Sequence, residues 1–524
     1  LVVDPRRSTT AQLTKNGQGM HLQPVPGTDL VVLLALLHVV LGEGLADTAY
    51  VADRTEGMAA VRRSVAAWWP ERAEQECGVP AATLRQTARL LAAASPAAGG
   101  PGAYILTGRG VEQSTQGTAT VTAAINLALA LGLPGRVGSG YGAITGQGNG
   151  QGGREHGQKS DQLPGYRMID DQQARAHVAG VWGVDPASLP GKGMPAMELL
   201  GSLGTAGGPR ALLVHGSNPM VSAPNSQRVA SRLAALDLLV VCDFVPSETA
   251  LMADVVLPVT QWAEEEGTVT SLEGRILRRR KSIQPPDGVR SELWIWSELA
   301  ARLGAAGMWS TDPTEVFDEL ARASAGGRAD YSGLSHARLD DNEGLFWPCP
   351  ASPEGEPPHP GTPRLFTDRF PTPDGRACLV AVDHVGPQDG LRADAPLHLI
   401  TGRVLQHYQS GAQTRRVEAL NRASPAVFVE VHPLLATRVG VVEGDVLRLT
   451  TTRGSVCAPA RVTDGIRPDT VFMPFHWGAA DSVNRVTNDA TDPLSGMPEF
   501  KVCAVQVTPA TVRSAPSITE PLPS

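Results

Sequence analysis

No two cysteines of this sequence lie close together. The six are Cys77, Cys242, Cys349, Cys378, Cys457 and Cys503, and none forms a C-x-x-C pair. That spacing carries no zinc or iron–sulfur signature, because such sites take clustered thiolates. Cys242 and Cys503 stand in apolar runs and read as buried, inert thiols. Long apolar runs are also missing. The longest, Leu30–Leu41, contains His38 and falls short of the roughly 20 residues that cross a bilayer. No charged, apolar and small-residue signal opens the chain, which predicts a cytoplasmic protein without a membrane span. Nor is there an excess of base. The formal net charge is −8 with 19% charged residues, which argues against a nucleic-acid binder working through a basic face. The chain opens on Leu1 in mid-pattern, and we read it as lacking its natural N-terminal part.

Glycine and proline are plentiful, at 56 and 42 of 524 residues, which implies many loops that carry function. The length suits roughly two to four domains. Glycine concentrates in Gly135–Arg167, where ten of the first 23 residues are glycine. A flexible linker pairs glycine with serine and little else. Here Thr145, Gln147, Asn149, Arg154, Glu155, His156 and Lys159 stand between or just after glycines such as Gly146 and Gly152. Glycine lets a backbone approach a ligand, and amide and guanidinium groups supply directed donors to phosphate or ring edges. A ligand cradle and a mobile surface loop both remain open on this composition.

Taken in order, LVVDPRR reads as the end of a buried strand turning at Asp4-Pro5, with Arg6 beyond it. An acid at a strand's carboxyl end can accept hydrogen bonds from a nucleotide, and Asp-Pro turns are also common in their own right. PGTD, with Gly27 and Asp29, opens a helix over about 30–41. Helices follow to Ala94, with Trp68, Trp69 and Leu84 as core candidates. A strand at Ala103–Thr107 ends in Gly108-Arg109-Gly110, and a helix spans about 117–131. After the glycine-rich stretch come strand Arg210–His215, a turn at Gly216 and Asn218, a helix near 227–236, and strand Leu238–Cys242 ending at Asp243. That order is a βαβ unit, but G-x-G-x-x-G is absent, which counts against NAD. Glu264–Glu266 read as a solvated helix end, Arg278–Lys281 as a solvated surface, and 348–363 as a surface connection between domains. From Leu397 short β segments predict a barrel or sandwich of about 110 residues. Thr401–Arg416 interrupts it with a loop too polar for a simple hairpin. The tail after Pro509 is rich in Pro and Ser and reads as disordered.

TGQGNGQGGREHG, followed by DQLPGYR, resembles the molybdopterin oxidoreductases of the dimethyl-sulfoxide-reductase superfamily, and within it the assimilatory nitrate reductases. The resemblance runs to about Pro509. It implies molybdenum held between two molybdopterin guanine dinucleotides. It also implies an α/β fold, with two Rossmann-like regions (1–155, N-terminally incomplete, and 156–394) around a pterin cleft. A C-terminal barrel of double-psi type (395–510) and a disordered tail (511–524) complete the expected layout. By the same resemblance DPR (Asp4, Arg6) and PGTD (Gly27, Asp29) belong to a guanine-dinucleotide pocket. Gly108 and Gly110 face a pterin. Thr145, Gly146, Gln147, Asn149, Gly152, Arg154 and Glu155 cradle the cofactor, and Gly216, Asn218 and Asp243 hold a dinucleotide. TGR…H…SG.QTRR supplies Thr401, Gly402, Arg403, His407, Ser410, Gly411 and Thr414, while His476, Asn484 and Lys501 lie near the second pterin.

The activity implied is reduction of nitrate, with electrons from a donor protein or reductase subunit. The iron–sulfur cysteines and the cysteine that ligates molybdenum are expected before Leu1, so no residue of this chain is assigned to the metal. Formate dehydrogenase is the alternative within the superfamily, and a cofactor-free structural relative is the alternative outside catalysis. Formate dehydrogenases usually carry Arg where this chain has Thr145.

Overall fold

A computed structural model describes residues 1–510 apart from Gln18, Thr145, Ala306 and Met308. The expectations for Thr145 and for the tail 511–524 lie outside the described residues. The first core forms around helix Asp29–Gly42. Ten of its fourteen residues are buried, on every side of the helix. A helix apolar all round belongs in a core, where each Leu or Val contributes about 1.5–3 kcal/mol. Helices Gly117–Ala130, Ala81–Ala94 and Pro70–Cys77 pack around it. Trp68 and Leu84 are buried there, but Trp69 is exposed, because it precedes a helix that starts at Pro70 and faces outward. The opening strand is not buried as expected. Val2–Val3 pairs in parallel with His21–Leu22, and Val3 stays exposed on its outer face.

Strands Tyr104–Thr107 and Gly140–Ala143 pair in parallel beside this core. The second α/β region holds a three-stranded parallel sheet, Ala211–His215, Leu238–Asp243 and Val255–Pro258, with Leu238–Asp243 in the middle. An antiparallel sheet of Gly267–Thr270, Arg275–Arg279 and Leu345–Phe346 follows. The glutamate run is a turn into this sheet rather than a helix end. Glu265 pairs with Arg279 and Glu266 with Arg278, so the basic run is half taken up by acids across the strand pair. The segment expected to belong wholly to the second region returns to the first. Ala377–Cys378 pairs with Thr55–Glu56, and Phe370 and Leu379 join the first core.

Six strands close a C-terminal barrel in the order Leu397–Gly402, Thr470–Pro474, Val429–Val431, Gly454–Val462, Val446–Thr451, Cys503–Pro509. Two pairings are parallel and four antiparallel. Gly454–Val462 alternates buried and open residues, as a strand with one face in a core should. Cys242 and Cys503 are both buried, which raises their thiols to about 11 and about 12, so neither is a nucleophile near neutrality.

Candidate cofactor site

Loops at the carboxyl ends of parallel strands are where α/β folds place ligands. Five such ends meet here. Thr107 and Ala143 end one strand pair, and the loops beyond them run side by side, with Arg109 Nη2 3.5 Å from Gln147 Oε1. Barrel strand Leu397–Gly402 ends at the 403–416 loop. Arg403 donates from Nη1 to the Gly146 carbonyl at 2.9 Å, Gln409 donates to the same carbonyl at 3.2 Å, and Gly148 N–H donates to the Tyr408 hydroxyl at 2.9 Å. A Cβ on Gly146 would lie 2.3 Å from the Arg403 guanidinium, so a side chain there would push that head group aside. On the far side of the same loop, Arg415 pairs with Glu248 at 2.5 Å. Asn218 donates to Glu248 at 2.7 Å and accepts from the Thr249 hydroxyl at 2.8 Å. Asp243 accepts from the Ser247 hydroxyl at 2.8 Å and from Phe244 N–H at 2.9 Å. The 403–416 loop therefore joins the glycine stretch to the loops after the three-stranded sheet.

Several expected site residues use their polar atoms within the protein. His476 is fully buried. Val404 N–H donates to its Nε2 at 2.9 Å, and its Nδ1–H donates to the Gln409 carbonyl at 2.6 Å. His407 donates from Nε2 to the Ser424 carbonyl at 2.7 Å and meets the Thr414 hydroxyl at Nδ1. Asn484 donates to the Val221 carbonyl at 2.6 Å, and Thr401 donates to the Phe500 carbonyl at 2.8 Å. Glu155 accepts from Thr270 and Tyr331. Arg6 forms a two-bond pair with Glu430, and Asp4 accepts from Arg6 N–H. Gly411 has φ +75°, and a Cβ there would lie 2.6 Å from the His476 carbonyl. Gly402 lies against the Phe472 ring. Gly27, at φ +87°, accepts from the Gln116 amide. Gly108, Gly110 and Gly216 have open space around them, Gly152 is packed under the Asn149 side chain, and Ser410 accepts from Arg415 through its carbonyl. Arg109, Tyr408, Gln409 and Arg415 make the joining contacts, yet reading by motif passes them over as site residues. Their signal was present: Arg109 stands between two glycines at a strand end, and the others lie inside the matched loop.

The electrostatics point to an anion. Among the described residues neither Arg403 nor Lys501 forms an ion pair. Burial pushes the Lys501 ammonium down to about 7, helped by the Arg403 and Arg109 charges. Its Nζ donates only to the Thr401 carbonyl, at 3.0 Å. Burial also lowers Arg403, with Arg109 adding to the effect. Arg154 makes no ion pair either. Cations held together without carboxylates are costly unless a ligand brings the negative charge. On the other side, burial pushes Asp29 up to about 6 with Asp4 adding repulsion, and it raises Asp4 too. Asp4 lies within electrostatic range of Lys501, so carboxyl acceptors and cations share one region, which suits a ligand that carries both phosphates and donor-rich rings.

Residues 1–302 match the molybdopterin oxidoreductase family, and residues 397–504 match the molydopterin dinucleotide binding domain. The chain belongs to the molybdopterin oxidoreductase family. It is 39% identical over 512 residues to the assimilatory nitrate reductase catalytic subunit of Bacillus subtilis, covering 97% of this chain and 70% of that protein. It is 34% identical to a formate dehydrogenase alpha subunit of Methanococcus maripaludis, covering 97% and 71%. Acetylene hydratase from Pelobacter acetylenicus has a similar structure, with a TM-score of 0.72 at 18% identity over 97% of this chain and 73% of that one. The α/β architecture with its closed barrel is thus the fold of a molybdopterin enzyme. The two family matches indicate molybdenum bis(molybdopterin guanine dinucleotide) as the cofactor. The residues present fit it: unpaired Arg403 and Lys501 suit diphosphates, and glycine at 146 lets the Arg403 guanidinium lie against the backbone of the glycine stretch. Among the described residues no helix is long and apolar enough to cross a membrane, and no cluster of His, Cys, Asp or Glu could hold a metal ion.

Proposed function

We propose that this chain reduces nitrate to nitrite in cytoplasmic nitrate assimilation, as part of a longer or completed enzyme. Nitrate takes up two electrons and two protons and leaves as nitrite and water. The bound molybdenum cofactor supplies the oxygen transfer and the electron exchange. The residues of this chain hold the dinucleotides through Arg403, Lys501, Asp29 and the glycine stretch, and the same cations draw the anionic substrate inward. The observation that carries the reading is the 39% likeness to an assimilatory nitrate reductase over nearly the whole chain. Thr145, where formate dehydrogenases usually carry Arg, supports it. The likeness to formate dehydrogenase alpha subunits keeps formate oxidation as the second reading. A non-catalytic relative would have no reason to keep the half-buried Arg403 and Lys501 without ion-pair partners. In this proposal a segment N-terminal to Leu1 brings the iron–sulfur cluster and the thiolate ligand to molybdenum, and a donor protein or reductase subunit brings the electrons.

The test is nitrate reduction coupled to a reduced viologen, with molybdenum content measured beside it. The chain alone and the chain joined to the remaining part of the Bacillus subtilis relative are compared. We expect nitrite and metal in the joined form and negligible amounts of both in the chain alone. A joined form that loads metal and oxidises formate but leaves nitrate intact would sink the substrate assignment. Full activity in the chain alone would overturn the placement of electron entry outside it.

A further inference from the structure

The glycine stretch ends in a helix, Gly150–Glu155, that its own sequence does little to support. Three of its six residues are glycine, which opposes helix formation, and a six-residue helix is too short to persist alone. Both of its ends are nevertheless held by one residue of the neighbouring sheet. At the start, Thr270 N–H donates to Asn149 Oδ1 at 2.9 Å. At the end, the Thr270 hydroxyl donates to Glu155 Oε2 at 2.8 Å. Tyr331, itself buried, donates its hydroxyl to the same oxygen. Glu155 Oε1 and Trp347 Nε1 are both buried without a hydrogen-bond partner among the described residues. Gly152 packs so tightly under Asn149 that a Cβ would lie 2.2 Å from its side-chain oxygen. Glu155 is 1% exposed, so its side chain presents no atom to a ligand.

We propose that Glu155 is a positioning residue. It clasps the glycine helix onto Thr270 and Tyr331 and so holds the Gly146–Gly153 backbone in the shape that receives the cofactor, without touching the cofactor itself. A carboxylate is the side chain that can accept from both hydroxyls on one oxygen. The glycines that leave room for a ligand remove the helix's own stability, and the buried clasp restores it from outside. The proposal rests on the glycine stretch being cofactor contact, and the experiment separates the two ideas.

Hydrogen exchange is followed at the amides of Gly153, His156 and Thr270, with barrel amides of Leu449 and Val471 as the control. E155A should exchange at the first three roughly tenfold faster or more, as expected for a lost charge-assisted bond, with the barrel unmoved. E155Q, which keeps one acceptor oxygen, should recover part of the protection. Y331F and T270V each remove one hydroxyl donor while leaving the carboxylate in place. They should move the same amides less, and they carry the test if E155A does not fold. Unchanged exchange at the three amides, or equal acceleration in the barrel, overturns the proposal. Pterin content is measured on the same samples of the completed, cofactor-loaded protein. Lower pterin content is expected. A loosened helix with full pterin content leaves the clasp standing and overturns the glycine stretch as a cofactor site.

Discussion

Lys501 is held where a free chain would not choose to hold it. Its ordinary value near 10.5 falls to about 7 on folding, first through burial and then through Arg403 and Arg109. Between those values the unfolded chain binds more protons than the folded one. Stability should therefore rise with pH from about 7 to about 10.5, and below 7 the cost of the buried charge is present in full, on the order of a few kcal/mol. A structural lysine would show no benefit on removal. Lys501→Met should raise the melting temperature of the cofactor-free chain at pH 7 and flatten its rise toward pH 10, while lowering the pterin content of the completed enzyme. A variant that melts lower without cofactor would show the lysine to be structural. His476 works in the same sense over a lower pH range. Burial, partly offset by the Gln409 carbonyl, lowers it from 6.5 to about 4. Its contribution is present above pH 6.5 and is lost as pH falls toward 4, at most about 3 kcal/mol. The protonated ring cannot accept from Val404 N–H, so the 403–416 loop should be the first part of the barrel end to loosen in acid. Exchange at Val404 that rises no earlier than exchange at Leu449 would refute this.

At the scale of elements, the parts that repeat a pattern were legible in the sequence. Leu30–Leu41 had to be a core helix because no face of it is polar, and the barrel strands showed in Val- and Thr-rich runs between turns. The parallel strand order around Asp243 was equally plain. What was not legible depends on partners far along the chain. Glu264–Glu266 looked like a solvated helix end until Arg278 and Arg279 came across from the next strand. The family resemblance places His407 and His476 near the cofactor, and a loop sequence does not announce which way their rings turn. In the structure they fasten the loop that presents Arg403, Tyr408 and Gln409. Residues 366–382 carry no pattern that would return them to the first core; they are placed by Phe370, Leu379 and a two-residue strand pairing. The joint between the 403–416 loop and the glycine stretch is testable at one atom. Gly146→Ala puts a Cβ where the Arg403 guanidinium lies and breaks its bond to the Gly146 carbonyl. We expect pterin content to fall severalfold with the melting temperature nearly unchanged, since the displaced atoms face the cleft rather than a core. A large fall in melting temperature with full pterin content would assign the glycine to packing alone.

Over the whole molecule, the barrel is attached to the first α/β region by polar contacts more than by a shared apolar core. The two largest apolar clusters have no residue in common. Across the join, helix Gly117–Ala130 begins at the barrel's last loop. Its early N–H groups have no partners within the helix. Asp492 accepts from Thr118 N–H at 3.0 Å and from its hydroxyl at 2.9 Å, and Glu499 accepts from Thr115 N–H at 3.0 Å and from its hydroxyl. Both carboxylates sit at the positive end of the helix dipole. Glu499 is fully buried and also accepts from Asn488 Nδ2 and Gln388 N–H, each at 2.9 Å. It therefore gathers donors from the helix, from the segment entering the barrel and from the barrel's own last loop. Glu499→Ala would leave four donors without this acceptor, the Asn488 amide buried and the other three half-buried, at a cost of about 1–3 kcal/mol. Because those donors lie on separate units, the loss should weaken the join before it weakens either core. Calorimetry should then resolve the single transition of the parent chain into two, with the barrel melting apart from the α/β regions. Asp492→Ala should move it the same way by less, and the double variant should cost less than the sum, because both caps act on one helix end. A single transition that merely shifts downward would mean that the cores, not these carboxylates, hold the molecule together.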